Sequence, residues 1–276
     1  MACCQENDLS DLTLAIKAGD ITAVNDLVRC GADVNSPDNK GTTPVQTAVI
    51  TNNFAMVKAL AALGADLNSR NDEGNTPAYI AAEEGHTEII RALAVSGADL
   101  NTPEDTKGAS PVHIAAQYDH ISAIRTLAEL GVNVNAAAKN GATPAYYAAQ
   151  KGHVASLRVL AEMGADINTP SNNGFTPAHV AAHSNNTEVI TTLSELGADL
   201  NPLSNNNWTP AYVAAQAGHV ASIRALAELG ADLNIPDING VTPANIAALV
   251  GNVAAISTLG ELGANLNISN QDHMTP

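Results

Sequence analysis

The side chains able to do chemistry in this 276-residue sequence are chiefly eight histidines, three cysteines and 28 carboxylates. The tightest pairing is His179 with His183, four residues apart, which on a helix sets two imidazoles on one face, as metal ligands require. A zinc site needs three or four ligands, and the sequence offers no third beside them. His86, His153 and His219 recur at one position of a longer pattern, with His120 in the matching place, so their recurrence points to a structural role. There is no Gly-rich phosphate loop, no Gly-x-Ser-x-Gly elbow and no His-Glu-x-x-His pair, and Cys3, Cys4 and Cys30 form no Cys-x-x-Cys. The expectation is a protein that is not an enzyme, with no catalytic, cofactor-binding or metal site and no cofactor.

Composition narrows the partners. Twelve basic residues against 28 acidic ones leave a formal charge of −16, so long-range repulsion opposes binding to nucleic acid or an anionic membrane. After Arg158 the only basic residue is Arg224, against ten acidic ones, a one-signed field that would speed encounter with a basic partner. Three cysteines cannot staple a secreted domain, and the N-terminus carries no basic and apolar leader. No run of 18 apolar residues, long enough to span a bilayer, occurs. A cytoplasmic location is expected, or a host cytosol for a secreted effector. Cys3 and Cys4 are candidates for acylation, without the neighbouring basic cluster that would supply a second membrane signal.

The elements that hold these residues repeat. A Thr-Pro or Ser-Pro pair returns with its proline at 44, 77, 111, 144, 177, 210, 243 and 276, a spacing of 33 with a single 34. TPAYIAAEEGHTEIIRALAVSGADLN from Thr76 matches TPAYYAAQKGHVASLRVLAEMGADIN from Thr143 and TPAYVAAQAGHVASIRALAELGADLN from Thr209. The expected organisation is a tail over 1–9 and an N-terminal capping repeat over 10–37 with Ser10 as its helix cap. Seven repeats follow, over about 38–70, 71–104, 105–137, 138–170, 171–203, 204–236 and 237–269, then the start of a truncated one at 270–276. The extra residue falls in the TPEDTK connection between Asn101 and Gly108.

Within a unit, Thr caps a helix and Pro takes its first position, where the missing N–H costs no helical bond. Ala78, Ile80, Ala81 and Ala82 make a small apolar face, and Gly85 and His86 end the helix. Thr87 opens a second helix with Ile89, Ile90, Leu93 and Ala94 at helical spacing, and Gly97 closes it. Neither helix is long enough to stand alone, so each unit must bury its face against its neighbours. The fold class is all-α: a solenoid of stacked helix-turn-helix units with projecting β-hairpin-like loops.

The 33-residue period with Gly-x-Thr-Pro, Ala-Ala, Gly-His and Gly-Ala-Asp-Leu-Asn resembles the ankyrin repeat over about residues 8–276. The match is not complete: Thr-Pro-Ala-Tyr or Thr-Pro-Ala-His stands where the family has Thr-Pro-Leu-His, and Leu-Ala-Glu-Leu where paired leucines are common. The resemblance implies that His179 braces backbone, and that hairpin tips and the exposed side of the first helices form a concave binding face. It implies a non-catalytic interaction module for a protein partner.

On that face the residue before Thr-Pro turns from polar to apolar along the chain, ending in Phe175, Trp208, Val241 and Met274. The ends of the first helices add Tyr118, His183, Leu249 and Val250. These eight are the candidate partner contacts, with Phe175 and Trp208 as anchors; packing of neighbouring fingers against each other is the competing reading. Asp72, Glu73, Glu83 and Glu84 are candidate acidic contacts for a basic partner. The sequence stops at Met274-Thr275-Pro276, the opening of another unit, so Ile256, Leu259 and Leu262 are expected to be partly exposed. Two other roles fit such an array: the substrate-targeting arm of a larger enzyme or secreted effector, and self-association through the uncapped C-terminal end.

Overall fold

The computed structural model describes residues 8–276. Cys3 and Cys4 lie outside the described residues. Among these residues there are sixteen helices and no strands. They fall in two compact units, divided between Lys139 and Asn140.

The first unit holds α1 (Asp8–Ala18), α2 (Ile21–Arg29), α3 (Pro44–Ile50), α4 (Phe54–Ala62), α5 (Pro77–Glu83), α6 (Thr87–Val95), α7 (Pro111–Gln117) and α8 (Ile121–Glu129). The second holds α9 (Pro144–Lys151), α10 (Val154–Glu162), α11 (Pro177–His183), α12 (Thr187–Glu195), α13 (Pro210–Ala217), α14 (Val220–Glu228), α15 (Pro243–Leu249) and α16 (Val253–Glu261). Ser10 sits inside α1, which begins two residues before it, so it does not occupy the cap position.

Each first helix after α1 opens on the Thr-Pro or Ser-Pro pair. Thr43, Thr76, Thr143, Thr209 and Thr242 accept a hydrogen bond from the backbone N–H three residues on. Helices of seven to nine residues are marginal alone, and their stability comes from stacking. Within each unit α5 packs on α3 and α7, and α13 packs on α11 and α15. Alanines at 81, 82, 148, 149, 181, 182, 214 and 215 are fully buried and let first helices approach closely. The second helices contribute the larger core residues, among them Ile89, Leu93, Leu157, Ile190 and Ile223.

The connections project as fingers closed by one i to i+4 backbone bond, as from Ser171 N–H to the Phe175 carbonyl and from Ser204 N–H to the Trp208 carbonyl. Successive fingers also bond directly, Asn205 N–H to the Asn173 carbonyl and Gln271 N–H to the Asn239 carbonyl. This close approach fixes the glycines: Gly174 has φ +81°, and a Cβ there would lie 2.6 Å from the Asn205 nitrogen. In most fingers Asp, Asn or Ser caps the loop, as Asp38 does for Lys40 and Thr42. Where the repeat is one residue longer, Glu104 replaces the shorter residue, and its carboxylate accepts from the N–H groups of Thr106, Lys107 and Ala109 at 2.6, 2.6 and 3.1 Å.

Candidate binding surface

In several repeats the third residue of the first helix bridges to the finger of the next repeat. Gln46 donates to the Ser69 and Asn75 carbonyls, and Asn245 donates to the Ile268 and Met274 carbonyls. His179 Nδ1 accepts from the Thr176 N–H and hydroxyl at 3.1 and 3.0 Å, and its Nε2–H donates to the Trp208 carbonyl. Burial, outweighing the Trp208 bond and the Asp199 charge, lowers its pKa to about 4. Both nitrogens are therefore committed, and His183 lies exposed at the far end of α11. The pair is not arranged as a metal site. The other recurrent histidines stand at the N-cap position of second helices without a side-chain cap bond, and two of them reach back one repeat: His120 donates to the Glu83 carbonyl and His219 to the His183 carbonyl.

The expected aromatic anchors are half-buried and form part of this framework. Phe175 stacks on His179 with centroids 4.9 Å apart and 14° between planes, and Trp208 stacks on Tyr212 at 5.3 Å and 11°. The two rings meet at 6.2 Å, tilted by 58°. The slot before Thr-Pro lies at the finger's base, so small occupants sink: Asn75, Ala109 and Ala142 are buried there. Val241, at 9% exposure, is buried too, which removes it from any surface patch. Met274 remains exposed, as do Leu249 and Val250 at the end of α15 and Tyr118 at the end of α7, 6.3 Å from the His120 ring. Leu259 is fully buried, contrary to expectation, because it faces the core of its own repeat; Ile256 and Leu262 are half-buried.

The acidic candidates sit in the first unit. Asp72, Glu73 and Glu84 are exposed and Glu83 is half-buried at the end of α5. Burial, then the charges of Glu84 and Glu73, push the Glu83 carboxyl above its ordinary value. Among the described residues no ion pair neutralises Glu83 or Glu84, although arginines on second helices are paired with the second helix of the next repeat: Arg91 with Glu129, Arg158 with Glu195 and Arg224 with Glu261.

A family model described as Ankyrin repeats (3 copies) matches residues 12–104, 98–171, 133–204, 168–237 and 197–270. The chain belongs to the ankyrin-repeat family. Among solved structures it is similar to the ankyrin repeat domain of Bcl-3, described as a unique member of the IkappaB protein family, with a TM-score of 0.70 and 26% identity over 78% of this chain and 97% of that one. No curated protein matches the sequence.

Ankyrin repeats are generally protein–protein interaction modules, and the fold is typically non-catalytic. Among the described residues no helix of this ankyrin array is long and apolar enough to cross a membrane. Two sets of ankyrin framework residues escaped the sequence reading. One is Glu104. The other is the terminal Asn of Gly-Ala-Asp-Leu-Asn, whose Oδ1 accepts the N–H of the residue 31 positions on, as Asn35 does from Asp66, Asn68 from Asp99, and Asn201 from Asp232. The signal was visible as a repeated Asn, but its partner lies one repeat away.

Proposed function

We infer that this chain is an interaction module whose first unit receives a basic segment of a protein partner at the end of α5 and the finger that precedes it, around Glu73, Glu83 and Glu84, with Tyr118 at the end of the next first helix. The observation that carries this is the unneutralised Glu83–Glu84 pair: a partly buried carboxyl held against two like charges is relieved by an incoming ammonium or guanidinium. The net charge of −16 supports it by favouring encounter with a cation and disfavouring anionic partners. The stacks of Phe175 on His179 and Trp208 on Tyr212 support a primarily structural role for those two rings.

Selection from a random peptide display library tests the reading. Enriched peptides should be Lys- and Arg-rich, and should be lost from a Glu83→Gln, Glu84→Gln variant of unchanged melting temperature. Enrichment without basic bias, or binding untouched by that variant, would overturn it.

A further inference from the structure

The second helices carry a ladder of ion pairs with one step missing. The fifth residue of a second helix reaches the last residue of the next one: Arg91 in α6 to Glu129, Arg158 in α10 to Glu195 and Arg224 in α14 to Glu261. In α4 the fifth residue is Lys58, and the last residue of α6, where the acid should stand, is Val95. Among the described residues no carboxylate pairs with Lys58, whose Nζ lies 5.4 Å from the centroid of the Phe54 ring. Val95 is the most exposed large apolar side chain among the described residues, at 88%, and Phe54 is 42% exposed. α4 packs on α6, and Phe54, Lys58, Val95 and the buried Ala92 line one open cleft of about 180 Å³ between them. A single exposed apolar residue is ordinary, but here two share a cleft with an ammonium. The cleft is smaller than the roughly 300 to 1,000 Å³ of small-molecule sites, so its scale is that of a side chain rather than a cofactor.

Charge sets what enters. Two other charged groups line the cleft, Arg91 and Glu88. Arg91 is occupied, because its guanidinium donates to the Thr126 hydroxyl and to Glu129, both at 3.0 Å. Glu88 stands in the first turn of α6, where the helix dipole already stabilises a carboxylate. Lys58, in the middle of α4, has only the ring beside it and gains from an incoming carboxylate. Phe54 and Lys58 are one helical turn apart on the same face, so an occupant that meets both needs its apolar and acidic groups at matching spacing. The net charge of −16 opposes an acidic run at long range, which leaves one carboxylate beside an apolar anchor as the better fit.

We propose that the cleft between α4 and α6 docks a helical segment of a partner protein presenting a large apolar side chain and, one turn away, an Asp or Glu. The apolar group enters between Phe54 and Val95, and the carboxylate pairs with Lys58 in place of the ladder acid that Val95 replaces. The site lies on second helices, apart from the carboxylates at the end of α5, and it selects the opposite sign of charge.

Selection of displayed random peptides on the full chain tests this, from a library built without Lys and Arg so that nothing in it answers Glu83 and Glu84. Enriched peptides should pair a Leu, Ile, Met, Phe or Trp with an Asp or Glu one helical turn away. Replacing the apolar residue of such a peptide by Ala should weaken binding about tenfold or more, and replacing its acid by the amide up to about fivefold, the most that an exposed ion pair contributes. Val95→Glu returns the ladder acid to the chain itself and should abolish binding at an unchanged or raised melting temperature. Lys58→Met should keep the apolar preference and lose the acidic one. The Glu83→Gln, Glu84→Gln variant should bind these peptides as the parent does, which separates this site from the one proposed above. No enrichment, enriched peptides without the acidic and apolar pair, binding indifferent to Val95→Glu, or binding lost from the Glu83→Gln, Glu84→Gln variant would overturn the proposal.

Discussion

The His179 Nε2–H donates to the Trp208 carbonyl at 2.7 Å, tying the first helix of one repeat to the finger of the next. The neutral imidazole is needed at its other nitrogen, where Nδ1 accepts from the Thr176 N–H and hydroxyl, and burial keeps it neutral by lowering the pKa to about 4. In the unfolded chain the same group titrates near 6.5, so between the two values the unfolded state binds more protons. Stability is therefore complete above pH 6.5 and falls as pH drops through that window, by about 3 kcal/mol at its acid end. His179→Gln, which copies the bridging role of Gln46, should hold stability near neutral pH and flatten this loss in urea titrations at pH 7 and pH 4.5.

Removing either stacked ring should cost stability. Phe175→Ala or Trp208→Ala loses a half-buried ring and its stacking contact, about 1 to 3 kcal/mol each. Because the rings touch, the double variant should lose less than the sum of the two. Chemical unfolding followed by circular dichroism reads all three. Unchanged midpoints would mean the rings serve the surface alone.

Glu104 is the staple of the longer connection. Its burial favours the protonated form, but the Ala109, Thr106 and Lys107 N–H groups outweigh that and hold the carboxyl below its ordinary value. Glu104→Ala strands those donors and should destabilise by about 1 to 3 kcal/mol. The sign with pH is that of a depressed acid: the contribution is present above the unfolded pKa and vanishes as pH falls through the folded one. The variant and parent should therefore converge in stability toward pH 3.

The repeat framework was legible because its signals are local and copied: a Thr-Pro start, alanines at helical spacing, a Gly stop. The backbone-bracing role of His179 was legible through the resemblance, whereas Asn35 was not, because it acts on a group 31 residues distant, nor Glu104, whose carboxylate stands where the other fingers use a shorter side chain. The binding surface was legible only in part. Phe175, Trp208 and Val241 read as a projecting row because they share one slot, but that slot opens onto the third residue of the first helix, and side chains there fold inward.

Glu83 carries the opposite sign from Glu104. Its carboxyl is raised by burial and by Glu84 and Glu73, so the charged form costs stability at neutral pH. Glu83→Gln should raise the melting temperature slightly at pH 7 and leave it unchanged at pH 4, as read by calorimetry.

The most direct test of the binding account compares two pair variants for affinity to one basic peptide by isothermal titration. Glu83→Gln with Glu84→Gln should weaken binding at least tenfold with stability kept, and Phe175→Ala with Trp208→Ala should lower stability with affinity kept. Affinity lost from the aromatic pair and retained by the carboxylate pair would contradict the account and return the binding surface to the fingers of the second unit.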